Sequence, residues 1–97
     1  MTVQVVLPGA LADLVGGARH LDVPVPGGPG ATVGDVLDRL ATDHPLLARR
    51  IRDETGAVRR FVNVYVDGED VRFQDGVRTR VEDGAVLQVL PSVAGGC

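Results

Sequence analysis

The sequence predicts an α+β fold in which a mixed sheet of four or five strands packs against one main helix. Three observations indicate this class. Short segments with alternating apolar residues occur towards both ends of the chain, the middle carries the apolar spacing of an amphipathic helix, and turns rich in glycine and aspartate separate these segments. A chain of 97 residues with 44% hydrophobic content is one domain with a single modest core.

The first two strands are expected to form a hairpin. Residues 2–7 and 19–25 both alternate apolar and polar side chains, which is typical of half-buried strands. Pro24 lacks a backbone donor, so the end of the second strand should lie at a sheet edge. Residues 11–17, between the two strands, are predicted to form a short loop.

The main helix is predicted to begin after Thr32. The hydroxyl of Thr32 can cap the first turn, and Asp35 places a negative charge near the positive end of the helix. The apolar residues at the spacing of one helical face are Val33, Val36, Leu37, Leu40 and Ala41.

A second, shorter helix is predicted to begin near Pro45 and to end by Gly56. Three cations, Arg49, Arg50 and Arg52, lie towards its C-terminal end. They form either a solvated helix face or a contact for an acidic partner.

The second half of the sequence predicts three further strands. Residues 60–66 give the strongest strand pattern in the chain, and residues 67–68, Asp-Gly, form a tight turn after it. Residues 71–73 are expected to be a short return strand. The last strand, residues 85–90, should stop before Pro91, which has no backbone donor.

Composition excludes several classes of function. The net charge is −3, and there is neither a basic run nor an aromatic stripe among the arginines, which argues against a nucleic-acid surface. No apolar run approaches the roughly 20 residues of a membrane span, and the N-terminus lacks a signal-peptide pattern. A single cysteine cannot form an internal disulfide. We therefore expect a cytoplasmic protein with no membrane contact.

No catalytic or metal-binding pattern is present. Residues 26–30 are rich in glycine but lack the spacing of a phosphate-binding loop. His20 and His44 are remote in sequence from Cys97, so they form neither a zinc site nor an activated thiol with it. The sequence predicts no catalytic residue, no metal and no bound cofactor.

The C-terminal segment is the most distinctive feature of the sequence. Residues 1–90 are predicted to form the folded domain, and residues 91–97 to form a flexible tail that ends in Gly-Gly-Cys. Ala94, Gly95 and Gly96 carry almost no side chain, so the tail can enter a narrow channel in another protein. Fully extended, it spans roughly 20 Å. The alternative is an ordinary frayed terminus.

Three segments in order, residues 60–66, 70–73 and 90–96, together with the amphipathic helix after a hairpin, resemble the ubiquitin-like sulfur carriers of the MoaD/ThiS family. The similarity covers essentially the whole chain and is greatest to the CysO-type branch, which serves cysteine biosynthesis. The resemblance implies a ubiquitin-like β-grasp fold and a carrier that is a substrate of partner enzymes, not itself an enzyme.

The resemblance also implies a role for Gly96. An adenylating and sulfurylating enzyme would use ATP to activate the Gly96 carboxylate and convert it to a thiocarboxylate. In the CysO-type branch the sulfur then goes to an activated serine on a PLP-dependent cysteine synthase. A carrier for molybdopterin or thiazole synthesis and a ubiquitin-like protein tag are the alternatives.

Cys97 departs from this pattern, because a residue attached to Gly96 leaves no free carboxylate to activate. Cys97 is an encoded cap, the product of sulfur transfer, or an engineered mimic, and the sequence does not separate these accounts. In each of them the Gly96–Cys97 bond is the one that a JAMM-type zinc metallopeptidase would cleave.

Strand parity predicts a partner surface. If alternate residues of the last two long strands face the helix, the residues between them face away from it. The apolar side chains on this outer face are Phe61, Tyr65, Val86 and Leu90. We expect them to form an exposed patch that leads to the tail.

Overall fold

A computed structural model describes residues 1–26 and 30–91. The strands are β1 (Thr2–Val6), β2 (His20–Pro24), β3 (Val62–Val66), β4 (Glu69–Asp70) and β5 (Val86–Pro91), and the helices are α1 (Gly9–Ala12), α2 (Val33–Asp43) and α3 (Pro45–Ile51). The five strands form one mixed sheet in the order β2-β1-β5-β3-β4. The predicted hairpin of β1 and β2 is confirmed, and β2 lies at the sheet edge as Pro24 indicated.

The last strand occupies the centre of the sheet. β5 runs parallel to β1, with Val5 opposite Leu87, and antiparallel to β3, with Val64 opposite Val89. Leu87 and Val89 are completely buried. The strand that leads to the C-terminus is therefore fixed by the core of the domain and by a neighbour on each side.

The main helix begins as its sequence predicted. The Asp35 amide donates to Thr32 Oγ1 at 3.3 Å, and the Asp35 carboxylate accepts from the Thr32 amide at 2.9 Å. This reciprocal capping box satisfies two amides that the first helical turn leaves without partners. α2 then buries Val36, Leu37 and Leu40 against the sheet side of the domain.

α3 continues the cover over the core. Pro45 lies in its first turn, as the sequence predicted, and Leu47 and Ile51 are fully buried. The helix ends at Ile51, five residues before Gly56, because the chain folds back there: the Ile51 carbonyl accepts from the Arg59 amide at 2.8 Å.

The prediction of a plain loop over residues 11–17 was wrong. The chain forms α1 and then a 3-10 turn, Asp13–Val15, because the Pro8 carbonyl accepts from the Leu11 and Ala12 amides at 3.1 and 2.9 Å. A helix of one turn is too short to show a 3.6-residue period in the sequence.

The predicted return strand at residues 71–73 was also wrong. The two-residue turn at Asp67-Gly68, with φ values of 49° and 88°, returns the chain at once, so Glu69 and Asp70 form β4 instead. The Asp70 carboxylate then accepts from the Arg72 amide at 2.9 Å and begins a 3-10 turn, Val71–Phe73.

The boundaries of β1 and β2 differ from the prediction by one residue, and those of β3 and β5 differ for reasons that the structure shows. β3 begins at Val62, because a turn closed by the Val62 amide and the Arg59 carbonyl precedes it, and Phe61 lies in that turn. β5 includes Pro91, opposite Val62, since a proline is tolerated at the end of a strand. Within the described ranges, no helix combines the length and the apolar run that crossing a membrane requires.

Candidate functional site

The sheet face opposite α2 carries the side chains that strand parity assigned to it. On β3, Val64 and Val66 are buried, whereas Asn63 and Tyr65 alternate to the other face and are partly exposed. On β5, the same alternation buries Leu87 and Val89 and leaves Val86, Gln88 and Leu90 on the outer face. We refer to this side of the sheet as the outer face.

The four predicted patch residues differ in exposure. Phe61 is 56% exposed and Val86 36%, whereas Tyr65 and Leu90 are half-buried. The register places Tyr65 opposite Gln88, so Leu90 lies diagonally across from Tyr65 on the neighbouring strand. Gln88 separates Val86 from Leu90, and the outer face therefore mixes apolar side chains with an amide.

Sequence reasoning missed one apolar member of this face, and a second member, Asn63, has a feature that only the structure shows. Val6, on β1, lies opposite Gln88 and extends the apolar surface across the centre of the sheet. Strand parity could have identified Val6 from the sequence, because residue 6 alternates with Val3 and Val5, which are buried. Asn63 lies opposite Leu90, and its side-chain oxygen is buried without a hydrogen-bond partner among the described residues. A buried acceptor without a donor typically costs about 1–3 kcal/mol, so an amide or hydroxyl donor at this point would be favourable.

The end of β5 fixes where the C-terminal residues begin. Pro91 is the last described residue and lies opposite Val62, which directly follows Phe61 in the chain. The chain beyond Pro91 therefore starts at the end of the sheet that carries Phe61. Ala94, Gly95, Gly96 and Cys97 fall outside the described residues, so the carrier and cleavage sites assigned to them stay predictions.

Two carboxyl groups in the described part of the chain have clearly perturbed acidity. The Arg72 guanidinium, 2.9 Å from the Asp70 carboxylate, lowers the pKa of Asp70, and the same pair raises the pKa of Arg72. The Thr55 hydroxyl donates to Asp53 and lowers the pKa of that carboxyl. Both carboxylates act as acceptors that fix a turn. Asp70 lies opposite Tyr65, at the β4 edge of the outer face, whereas Asp53 lies in the loop after α3.

Over residues 1–26 and 30–91, no three side chains of the metal-ligating types come together as a metal centre would require. The features that the structure does bring together are a half-apolar sheet face and the end of the central strand. A partly apolar face next to the end of a strand is suited to binding another protein that also contacts the C-terminal residues of this chain.

The sheet order, the parallel pairing of β1 with β5 and the helix across one face define a ubiquitin-like β-grasp protein. The chain belongs to the ThiS family, whose model matches residues 5–96.

Individual relatives match nearly the whole chain. The sulfur carrier protein CysO of Mycobacterium tuberculosis is 37% identical over 98 residues, which cover 99% of this chain and 100% of the relative. The crystal structure of the BexX/CysO complex of Amycolatopsis orientalis contains a chain that is 39% identical, with a TM-score of 0.76 and coverage of 97% and 99%. The crystal structure of SAMP1 from Haloferax volcanii matches with a TM-score of 0.80, 32% identity and coverage of 99% and 100%. The predicted family resemblance is therefore confirmed.

Proposed function

We propose that this protein is a cytoplasmic sulfur carrier of cysteine biosynthesis, and that Gly96 is the residue that carries the sulfur. The observation that supports this most directly is the similarity to the sulfur carrier CysO over the full length of both chains. The family match extends to Gly96 and leaves Cys97 outside it.

In the proposed cycle, an adenylating enzyme first joins the Gly96 carboxylate to AMP and releases pyrophosphate from ATP. A sulfide equivalent then attacks the acyl carbon and displaces AMP, which leaves a thiocarboxylate on Gly96. Two successive enzymes must enclose the same acyl group, so a small and unhindered residue is required at this position.

The thiocarboxylate sulfur would next displace the leaving group of an activated serine held by a PLP-dependent cysteine synthase. This forms a carbon–sulfur bond and leaves a thioester to Gly96. Transfer of the acyl group from sulfur to the adjacent amine gives a peptide bond to cysteine. Hydrolysis by a JAMM-type zinc metallopeptidase then releases cysteine and restores the Gly96 carboxylate. PLP and zinc belong to these partner enzymes, and the carrier itself uses no cofactor.

Cys97 has a place in this cycle under each of its three accounts. As an encoded cap, it must be removed once before the first activation. As a reaction product, it marks the state before release of cysteine, and as an engineered mimic it reproduces that state. The Gly96–Cys97 bond is the cleavage point in all three.

The folded body supports the proposal by its geometry. Because Pro91 belongs to β5, the part of the proposed tail beyond the strand is residues 92–97, which can reach at most about 20 Å from the end of β5. A protein that encloses Gly96 must therefore stand close to the end of the sheet where Phe61 and Leu90 lie. The outer face is the adjoining surface, and we assign Phe61, Tyr65, Val86 and Leu90 to contact with these partners.

Intact mass spectrometry tests the proposal in two steps. Incubation with a JAMM-type peptidase is expected to remove one cysteine residue, and later incubation with ATP, the adenylating enzyme and a sulfide source is expected to exchange one oxygen for sulfur. Fragment spectra should locate that exchange on Gly96. In the matched controls, Gly96→Val should block the exchange, whereas Ser92→Ala should permit it.

The proposal is wrong if the peptidase-treated chain accepts no sulfur under conditions in which the M. tuberculosis relative does. Transfer of the sulfur to a pterin or thiazole precursor, with none to activated serine, would instead assign the chain to molybdopterin or thiazole synthesis.

SAMP1 is described as a small archaeal modifier protein. The similarity of this chain to SAMP1 favours a second candidate function, that of a ubiquitin-like protein tag. A tag would form amide bonds between Gly96 and lysines of other proteins. The chain contains no lysine, so every isopeptide would lie on a target protein. Recovery of conjugates from cells that express the chain ending at Gly96, with their loss in Gly96→Val, would support the tag over the carrier.

A further inference from the structure

Half of the arginines in the chain are concentrated at one end of the molecule. Five of the ten cations lie within residues 49–60, together with two carboxylates, in a chain whose net charge is −3. The sequence pointed only to three of them, Arg49, Arg50 and Arg52, at and just after the C-terminal end of α3. Folding adds the other two, because the chain after α3 turns back and pairs its backbone with the end of that helix.

Three contacts fix this fold-back. The Ile51 carbonyl accepts from the Arg59 amide at 2.8 Å, and the Asp53 amide donates to the Ala57 carbonyl at 3.0 Å. The Arg59 side chain donates from Nε to the Arg49 carbonyl. As a result, the side chains of four exposed residues line one cleft of about 700 Å³. We call these four, Arg49, Arg50, Arg59 and Arg60, the arginine cluster.

The arginine cluster is largely uncompensated. Among the described residues, the side chains of Arg49, Arg50 and Arg60 form no hydrogen bond or ion pair, whereas the nearby Arg52 is paired with Asp38 at 2.7 Å. Asp53 lines the same cleft, but its carboxylate already accepts from the Thr55 amide and hydroxyl and from the Ala57 amide. Like charges held together in this way repel one another unless an external partner neutralises them.

The position of the arginine cluster connects it to the C-terminal segment. Phe61 and Val62 line the same cleft, and Val62 lies opposite Pro91, the last residue of β5. A protein that encloses the residues directly after Pro91 would therefore lie next to the cleft that the arginine cluster lines.

We propose that the arginine cluster is a docking site for an acidic surface on the protein that takes up the C-terminal residues. The proposal rests on the proposed function, because it assumes that such a protein exists. It adds the chemistry of the partner surface, which should present aspartate and glutamate side chains beside the channel that receives the tail.

Separate carboxylates fit the arginine cluster better than a phosphate group does. Each exposed guanidinium presents a planar fork that pairs with one carboxylate. Phosphate sites, in contrast, typically use the positive N-terminal end of a helix, whereas the arginine cluster lies at the C-terminal end of α3. The carboxylate of Asp53 inside the cleft would also repel a dianion.

A peptide probe tests the charge preference without any partner enzyme. Titration of the full chain with a hexaglutamate peptide, followed by amide and arginine Nε signals in NMR spectra, should shift residues of the arginine cluster and leave Arg78 and Arg80 unchanged. The shifts should decline as salt rises from about 0.05 to about 0.5 M, because exposed charges are screened. Shifts spread evenly over the chain would overturn the proposal, and so would equal shifts with inorganic phosphate.

Enzyme kinetics test whether the cluster serves docking. The double variant Arg50→Gln/Arg60→Gln should raise the KM of the adenylating enzyme for the carrier about fivefold at low salt and leave kcat unchanged, since rim charges act mainly on association. Arg78→Gln/Arg80→Gln removes the same charge near the start of α2 and should leave KM unchanged. Arg50→Lys/Arg60→Lys keeps the charge but lacks the guanidinium fork, so it should restore part of the loss.

An equal rise of KM in both double variants, or no rise in either, would contradict docking at this site. Thermal unfolding of each variant establishes that it is folded. If the unaltered chain is not activated at all, the proposed function fails, and the peptide titration still decides whether the cluster binds acidic surfaces.

Discussion

Truncation of Phe61 provides the sharpest test of the predicted partner surface. Phe61 lies in the turn before β3 and is 56% exposed, so its ring contributes little to the core. Phe73 is a matched control, since it is 86% exposed and lies in the 3-10 turn after β4, the strand at the opposite edge of the sheet from β2. Phe61→Ala and Phe73→Ala remove the same atoms from two different places.

The expected size of the effect follows from the exposed area. A phenylalanine buries roughly 200 Å² when it is enclosed, so slightly more than half exposure leaves about 110 Å² for a partner to cover. At about 25 cal/mol per Å², complete burial is worth at most about 3 kcal/mol. Because an interface also contains water and imperfect contacts, we expect Phe61→Ala to weaken binding by about 1–2 kcal/mol, or roughly 5- to 30-fold.

The assay compares the KM of the adenylating enzyme for the two variants, with thermal unfolding as a measure of stability. Phe61→Ala should raise KM within this range and change the free energy of unfolding by less than about 1 kcal/mol. Phe73→Ala should leave KM unchanged. An equal effect of the two variants, or no effect of Phe61→Ala, would refute the assignment of Phe61 to the partner surface.

Three further predictions concern the fold and its dependence on pH. Thr32→Ala removes the capping box of α2 and should lower the free energy of unfolding in urea by about 1 kcal/mol. Leu87→Ala opens a cavity at a fully buried central position and should cost about 3 kcal/mol in the same assay, whereas Val86→Ala, next to it on the outer face, should cost less than about 1 kcal/mol. The pKa values of Asp53 and Asp70 are lowered in the folded state, so both carboxylates stabilise the fold above their unfolded pKa of about 3.9. This stabilisation should be lost as pH falls from about 3.9 through the lowered pKa of the folded state. An NMR titration that gives either group an ordinary or raised pKa would contradict this.

Much of the fold could be predicted because its signals are local. The capping pair of Thr32 and Asp35 lies within one helical turn, and the turn at residues 67–68 is a two-residue signal between apolar segments. The buried alternation of β5 and of β3 gave the outer face by parity alone. Each of these features depends on neighbours within a few residues.

The features that the sequence did not predict depend on contacts between distant residues or on very short elements. β4 has two residues and α1 has four, so neither shows a period. The arginine cluster joins residues of α3 to Arg59 and Arg60 only through the fold-back after α3. The unpartnered oxygen of Asn63 is visible only once Leu90 lies opposite it.

The central position of β5 has a mechanical consequence. If the C-terminal residues are pulled, the force passes into a strand that has hydrogen-bonded neighbours along both edges. The force then acts in shear on the hydrogen bonds to both neighbouring strands at once, whereas a strand at the edge of the sheet would lose its hydrogen bonds one at a time. Both neighbouring strands therefore resist a pull on the C-terminus at the same time.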